Sequence, residues 1–300
     1  MTKVKTDAEK YKHCYGKNKW SFCSLTLQRS RFKARHHGSF LSGLIISLVV
    51  VFLAVLSVWY TPYDAYQMDV RSRFLSPSLS HPFGTDEYCR DLFSRCMVGS
   101  QIALQVGIIS TCISLFGGLL LGFISGMSNK VVDEVLMRLM DGLFAFPAIV
   151  FAIAIVSVFG ADIVNAMIAI GIVRIPIFAR QVRNETISLK QRFFVIASRS
   201  IGTRVPVMIW KHFLPHINAS LTVLITTNFA FAILSEAGLS YIGLGTQPPF
   251  PSWGRLLMES QNYMDRAPWL SIFPGIMMAL TVLGFTLLGN GLRDFSDPRY

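Results

Sequence analysis

The chain has 300 residues, of which 52% are hydrophobic and 15% charged, and its mean hydropathy is +0.47. An average globular protein has about 25% charged residues, so this composition argues against a water-soluble fold. The net charge of +11 would suit nucleic-acid binding only on a polar surface, and here long uncharged runs separate the charges. Five cysteines without paired C-x-x-C spacing exclude a zinc ribbon and a disulfide-built scaffold.

Six apolar runs are candidate membrane spans, since a bilayer core about 30 Å thick takes roughly 20 apolar residues per helix. The first, at 39–60, has no charged residue and contains fourteen Leu, Ile, Phe or Val. No small-residue cleavage site follows it, so we expect a retained anchor rather than a signal peptide. The other five spans are expected at about 100–126, 142–161, 163–180, 219–239 and 271–291. The predicted fold is an all-α polytopic membrane protein with six transmembrane helices.

Basic residues are concentrated on one side of this topology. The N-terminal tail 1–38 holds ten Lys or Arg and two acids, and residues 180–211 hold seven Lys or Arg and one acid. The loop 61–95 holds four Arg and five acids. Cytoplasmic loops of membrane proteins carry the excess of Lys and Arg. We therefore expect the tail 1–38, the loop 181–217 and the C-terminal tail 293–300 to be cytoplasmic, and the loop 61–95 to be periplasmic.

Motifs of catalytic sites are missing from the sequence. There is no G-x-x-x-x-G-K-[ST] run, which excludes a Walker-type ATP site, and no H-E-x-x-H or G-x-S-x-G. The six His residues do not combine with Cys or acids at metal-ligand spacing. We expect no catalytic residue, no bound cofactor and no metal in this chain, and hence a protein that is not itself an enzyme.

The loop 181–217 is larger than a connection between two spans requires. Residues 186–201 contain no Pro or Gly, which favours a helix, and Gly202 then interrupts the pattern. Pro206 is well placed to open a second short helix, which we expect to end at 214–215. A helix–Gly–helix unit on the cytoplasmic side of a membrane protein suggests a surface on which another protein docks.

The same loop resembles the E-A-A-x3-G-x9-I-x-L-P motif of inner-membrane permeases of binding-protein-dependent ABC importers. Four residues match it at the required spacing: Ala197, Gly202, Leu214 and Pro215. Three residues replace its Glu, second Ala and Ile: Ile196, Ser198 and His212. A His at that position is itself frequent in the oligopeptide/dipeptide/nickel branch. The resemblance implies that the segment 194–215 couples the permease to a separate ATPase, with these residues at the contact: Ala197, Ser198, Gly202, His212, Leu214 and Pro215.

Further stretches are similar to the second, C-type, permease subunit of that branch, and they extend over roughly residues 40–300. They lie at 81–87, 90–95, 137–141, 146–147, 244–249, 251–254, 267–269, 289–294 and 297–299. Two positions depart from the family's usual residues, Cys89 in place of Gly and Asn290 in place of Asp. The resemblance implies the type I ABC importer permease fold, with its core at 96–292, and a location in the bacterial inner membrane.

The partners implied by the resemblance are a sister permease that forms a heterodimer with this chain, two ATP-binding subunits and an extracytoplasmic solute-binding protein. Those subunits, and not this chain, would bind ATP. The transported solute stays open at this point, since peptides, glutathione, nickel and nickel chelates are all carried by relatives. The runs 144–147 and 188–202 look closest to peptide and glutathione importers. Peptides or similar small solutes are therefore the prediction, and nickel or a metal chelate is the alternative.

Two ionisable residues within the spans, Arg174 and Glu236, are candidates for lining the translocation path. Arg174 would be costly at mid-bilayer but lies only about 9 Å along a helix from Arg180 at the cytoplasmic edge, so it either extends to that interface or lines the path. Glu236 lies about 26 Å along a helix from Ala219, near the outer mouth, where packing and facing the pore are both open.

Two other classes of protein account for less of the sequence. A secondary transporter or channel needs ionisable residues or broken helices at the midplane, and the spans offer only Arg174 and Glu236, both near edges. A membrane-anchored scaffold or nucleic-acid-binding protein would use the basic tail and the first span, but not the other five. ATP-dependent uptake that disappears without the ATPase subunits would distinguish an importer from both classes.

The second span carries two further local features. Gly118, Gly122 and Gly126 share one helix face, which predicts close packing against another helix. Residues 90–97 look helical, and seven helical residues would place the Cα atoms of Cys89 and Cys96 about 10 Å apart. Because a disulfide requires a Cα separation below roughly 7 Å, we expect no bond between these two cysteines.

Overall fold

The computed structural model describes residues 19–68 and 73–296, with side chains in 38–68 and 73–293. Residues 1–18 of the basic tail 1–38 and the last four residues of the tail 293–300 lie outside the described residues. The described part is almost entirely helical and contains no strand, only an isolated bridge between Thr85 and Asp91, which confirms the all-α fold. The α-helices, in chain order, are α1 (Lys19–Trp59), α2 (Leu92–Met127), α3 (Lys130–Phe144), α4 (Ala148–Phe159), α5 (Ile163–Lys190), α6 (Phe193–Ser200), α7 (Val205–Met208), α8 (Leu214–Tyr241), α9 (Trp253–Ser260) and α10 (Trp269–Ser296).

Five continuous helical stretches in the described residues are long and apolar enough to cross a membrane. They are Gly38–Trp59, Leu92–Met127, Ile163–Lys190, Val205–Tyr241 and Trp269–Arg293. Each overlaps one of the spans expected from the sequence. Together they form a bundle whose two ends we call the Trp59 end and the Lys190 end.

The span expected at 142–161 is not one helix. The chain bends by 87° between α3 and α4. The bend lies at Pro147, whose ring disfavours a helical conformation of Phe146 and which has no N–H for the helix ladder. α4 has 12 residues and is about 18 Å long, so it cannot cross a bilayer core of about 30 Å alone.

The bent pair of helices, α3 and α4, nevertheless crosses the bundle from one end to the other, because α2 and α5 run parallel. The Ser110 hydroxyl of α2 donates to the Met167 carbonyl of α5, and the Ser114 hydroxyl donates to the Gly171 carbonyl, both at 2.8 Å. Both pairs have the same sequence separation of 57 residues, which only parallel helices produce. The chain between them must return from the Lys190 end to the Trp59 end, and α3 and α4 together make that return.

Glycines of α2 allow α5 to approach closely, as their four-residue spacing predicts. A Cβ atom added to Gly118 would lie 2.2 Å from Phe178 Cβ, and one added to Gly126 would lie 2.8 Å from Thr186 Cβ. Gly122, between them, is equally crowded by α5. This is the most extensive helix pair in the described residues. A larger side chain at any of the three would push the two helices apart.

The loop expected at 181–217 is mostly helical in the structure. α5 continues without interruption to Lys190, and only Gln191 and Arg192 separate it from α6. The expected boundary of the fourth span at residue 180 therefore lies inside a continuous helix. The sequence contains no helix-breaking residue between Pro176 and Gly202, which is why α5 extends past the apolar segment.

The second short helix does not end at 214–215 as expected. α7 is followed by a π-helical turn at Ile209–Phe213, and this turn leads directly into α8. Pro215 fits because it lies in the first turn of α8, where a missing N–H is tolerated. The preceding π turn is closed by the Leu214 N–H, which donates to the Ile209 carbonyl five residues earlier.

α2 begins at Leu92, two residues later than the sequence suggested. Asp91 is its N-cap and accepts a hydrogen bond of 2.8 Å from the Ser94 N–H. The expected helix 90–97 starts too early, because Arg90 and Asp91 are not helical and Cys89 before them has a left-handed φ of +64°. Cys89 and Cys96 are buried free thiols.

A buried ionic cluster fixes α9 across the Trp59 end, against the start of α2. Glu259 of α9 accepts hydrogen bonds from Arg95 Nη2 at 3.0 Å and from Arg255 Nε at 3.0 Å. Arg90 Nη2 lies 3.4 Å from the same carboxylate, and Arg90 Nε donates to Asp86 at 2.6 Å. Arg90 and Arg95 are both buried, so loss of either acid would leave a buried charge uncompensated.

Candidate coupling surface

The segment expected to couple the permease to an ATPase lies at the Lys190 end and is fixed to the bundle by an apolar cluster. Val195 and Ser198 of α6 are buried, and their three-residue spacing turns one face of the helix toward α5. The buried members of the cluster are Phe123, Phe178, Val182, Leu189, Val195, Met208, Phe213, Ile217 and Leu221. They come from α2, α5, α6, α7, the π turn and α8, so α6 packs against both helices that flank it in the chain.

Gly202 ends α6 in the way that its sequence position predicts. Its φ of +79° is left-handed, a conformation that glycine adopts without steric cost and that closes many helices. The Gly202 N–H donates to the Arg199 carbonyl at 3.0 Å, and the Thr203 N–H donates to the Ser198 carbonyl at 3.2 Å. A Cβ atom added to Gly202 would meet no other atom within 4 Å, so the turn itself is open on its outer side.

An aromatic contact joins α6 to the base of α8. The ring of Phe194 stacks on the ring of His216, with centroids 5.0 Å apart and planes 18° apart, and it lies 6.0 Å from the ring of His212. His216 Nδ1 lies 2.7 Å from the His212 carbonyl. Since a carbonyl oxygen can only accept, His216 Nδ1 carries the proton. Phe194 is therefore flanked by two imidazoles, His212 in the π turn and His216 in the first turn of α8.

The opposite side of this segment presents large apolar side chains to the surface. Phe193 is 92% exposed, Ile201 84% and Trp210 74%, and Ile196 is exposed as well. Contiguous exposed apolar side chains rimmed by polar groups are typical of interaction sites. Arg192, Arg199, Arg204 and Lys211 are exposed beside them, and the sequence has no acid between Glu185 and Glu236. We call this apolar and basic face, from Phe193 to Lys211, the coupling surface.

The predicted coupling residues divide between the two sides of the segment. Ala197, Gly202 and Pro215 are exposed, whereas Ser198 is buried and His212 and Leu214 are half-buried. The Ser198 hydroxyl donates to Thr203 Oγ1 at 3.0 Å and supports the turn. The motif did not identify the most exposed side chains, Phe193, Ile201 and Trp210. The sequence feature that could have identified them is that they are large apolar residues in a loop rich in Arg.

Comparison with known proteins agrees with this arrangement. The family described as the inner membrane component of binding-protein-dependent transport systems matches residues 118–300. The chain belongs to this family. A dipeptide transport system permease protein of Alkalihalophilus pseudofirmus is 40% identical over 257 residues, which cover 86% of this chain and 84% of the relative. A glutathione transport system permease protein of Salmonella typhimurium is 43% identical over 270 residues, which cover 90% of this chain and 88% of the relative.

A solved structure supports the fold independently. The inward-facing MetNI methionine ABC transporter contains a chain that superimposes with a TM-score of 0.56 at 16% sequence identity. The match covers 68% of this chain and 97% of that one. This likeness shows the type I permease fold. With the family match and the named relatives, the chain is a multi-pass inner-membrane permease of an ABC importer, and neither a secondary transporter nor a membrane-anchored scaffold.

Arg174 of this permease lies between helices rather than along the surface of α5. Its Nε donates to Asn228 Oδ1 of α8 at 2.8 Å, and its Cζ lies 4.1 Å above the ring centroid of Phe231. Asn228 Nδ2 in turn donates to Thr111 Oγ1 of α2 at 3.2 Å. Arg174 therefore links the two spans that flank the coupling surface, and its exposure to the translocation path stays a prediction.

Glu236 is 2% exposed and is bonded within the chain. Its Oε1 accepts hydrogen bonds from the Ser240 hydroxyl at 2.5 Å and from the Thr246 hydroxyl at 2.8 Å. The Thr246 N–H also donates to the Ser240 hydroxyl at 2.8 Å. These bonds fold the loop that follows α8 back onto the helix, and a pore-lining role for Glu236 stays a prediction.

The contact of Phe194 with the two imidazoles yields a test of how firmly α6 is held. In the isolated permease, Phe194→Ala should loosen α6 and increase the rate of tryptic cleavage at Arg192 and Arg199 several-fold. Limited proteolysis followed by mass spectrometry measures this rate.

The matched control is the neighbouring Phe193→Ala, which removes a ring that is almost fully exposed. It should leave the cleavage rate unchanged. Equal rates for the two variants would mean that the aromatic contact does not hold α6.

Proposed function

We propose that this permease forms half of the path through which an ATP-driven importer takes up short peptides. The other half comes from a sister permease, an extracytoplasmic binding protein delivers the solute, and two separate subunits bind and hydrolyse ATP. The observation that carries the energy-coupling part of this proposal is the exposed apolar and basic surface on α6 and the turn that follows it. This surface coincides with the motif that resembles the ATPase-docking segment of such permeases.

The substrate class rests on the relatives. Two of them, at 40% and 43% identity over most of the chain, are named for dipeptides and for glutathione. Both solutes are short, flexible and zwitterionic, and they share amide groups and carboxylates. Peptides of two or three residues are the substrates that agree with both names. No comparable observation favours nickel or a metal chelate.

The coupling mechanism follows from how α6 is connected. Only two residues separate it from α5, the four-residue turn 201–204 joins it to α7, and α7 and the π turn lead into α8 without a loop. Movement of a docked ATPase therefore acts on two membrane spans at once. The apolar cluster beneath Val195 and the bond between Arg174 and Asn228 make these spans respond together. Reorientation of α5 and α8 relative to the sister permease would open the path alternately to the two sides.

The orientation of the chain is part of the proposal and has its own test. The excess of Lys and Arg at the Lys190 end supports a cytoplasmic location of that end and of both termini. Reporter fusions after Ser80 and Gln261 should give a periplasmic signal, and fusions after Lys190 and Tyr300 a cytoplasmic one. A periplasmic signal at Lys190 would contradict the proposed topology.

Gly202→Arg tests the coupling surface. An added Cβ would meet no atom beyond the chain neighbours within 4 Å, so the side chain starts in open space, and the left-handed φ costs about 1 kcal/mol. Insertion and abundance should stay normal, whereas the added bulk should keep an ATPase from seating. We expect ATP-driven peptide uptake to fall at least tenfold.

Gly160→Arg is the matched control. Gly160 also has a positive φ, +100°, and no atom within 4 Å of an added Cβ, but it lies at the Trp59 end. Uptake should be retained in this variant. Full uptake by the Gly202→Arg variant would show that the segment is only a connector.

A further inference from the structure

A cavity of about 520 Å³ lies at the Trp59 end, between the end of α1, the segment that follows it, and α2. It is open to the surface, and none of the residues that line it takes part in the coupling mechanism. The side chains that give it its chemistry are Ser57, Trp59, Tyr60, Asp64, Tyr66 and Gln101.

The polar part of the cavity offers two acceptors, the carboxylate of Asp64 and the side-chain oxygen of Gln101. Asp64 is exposed, and its Oδ1 accepts a hydrogen bond of 2.8 Å from the Tyr66 N–H. Gln101 is fixed by its Nε2, which donates to Ser57 Oγ at 2.7 Å, so its Oε1 is left as an acceptor. The Ser57 hydroxyl is itself directed to backbone carbonyls, at 2.9 Å from Ala54 O and 3.1 Å from Met97 O.

The charges of the residues that line the cavity indicate which class of ligand it binds: an anion, a metal ion or an organic cation. No Lys, Arg or His lines the cavity, which argues against an anion. A single carboxylate is too few for a divalent metal, which takes several oxygen ligands. Three aromatic residues, Trp59, Tyr60 and Tyr66, line the same cavity as Asp64. Aromatic faces attract organic cations, and a carboxylate in the same cavity supplies the opposite charge.

We propose that this cavity binds a primary ammonium group carried by an organic molecule. Asp64 supplies the charge, Gln101 Oε1 a neutral acceptor, and the aromatic rings the surrounding surface. The volume leaves room for more than the ammonium group alone. This site goes beyond the proposed function, because it lies outside the coupling surface and requires no ATPase.

Two molecules could bring such a group to this position. Trp59 and Tyr60 end the first span, where tryptophan and tyrosine typically mark the membrane interface. The ethanolamine headgroup of a phospholipid lies at that level of the membrane. The free amino terminus of a peptide substrate carries the same group, and this second source depends on the proposed function.

The test uses the assembled transporter, purified with its partner subunits, and the variant Asp64→Asn. The asparagine keeps an oxygen that can accept from the Tyr66 N–H, so the local fold is retained while the charge is lost. Asp265→Asn is the control, an exposed acid at the same end that does not line the cavity. Native mass spectrometry after incubation with equal amounts of phosphatidylethanolamine and phosphatidylglycerol gives the ratio of the two lipids retained. Uptake of a dipeptide in competition with its N-acetylated form gives the preference for a free amino terminus.

A lipid ligand predicts that Asp64→Asn lowers the ratio of ethanolamine to glycerol lipid about two- to fivefold, with no change for Asp265→Asn. A peptide ligand predicts a similar fall in the preference for the free amino terminus, with uptake itself retained. If neither ratio changes in the Asp64→Asn variant, the cavity does not bind an ammonium group. Absence of peptide uptake by the parent transporter would instead contradict the proposed function, and the lipid ratio alone would then decide this inference.

Discussion

The close contact of α2 with α5 is the constraint on which the rest of the structure depends. Glycine at 118, 122 and 126 brings the two helix backbones together, and the hydroxyls of Ser110 and Ser114 extend the contact toward the Trp59 end. At the other end, Lys190 Nζ donates to the Gly126 carbonyl at 3.0 Å. The pair therefore forms one parallel unit along the length of α5. Because α6 begins three residues after α5 ends, the position of the coupling surface is set by this unit.

This arrangement explains why an exposed apolar surface is compatible with a stable chain. α6 is attached on its inner side by Val195 and by the contact of Phe194 with two imidazoles, so its outer side need not contribute to folding. The outer side can then keep Phe193 and Ile201 in solvent until a partner covers them. The basic residues around them would oppose binding to another basic surface and favour a partner whose docking site has an acidic rim.

The sequence was sufficient for features that arise from local pattern. Apolar length located five spans, and the four-residue spacing of glycines identified the α2 face that contacts α5. The sequence was insufficient where the effect of a single proline depends on the backbone around it. Pro147 divides the expected third span although the run is apolar throughout, and Pro215 fails to end a helix because a π turn accommodates it. Burial of Glu236 could not be predicted either, since its partners Ser240 and Thr246 are brought to it by the folding of the following loop.

The central claim is that an ATPase subunit covers the coupling surface, and labelling of a single thiol there tests it most directly. Ile201→Cys would be introduced into a chain whose five native cysteines are replaced by Ser. Its rate of reaction with a water-soluble maleimide would be measured for the permease pair alone and for the complete transporter. The account predicts rapid labelling of the permease pair and strong protection in the complete transporter. Equal labelling rates in the two preparations would contradict it.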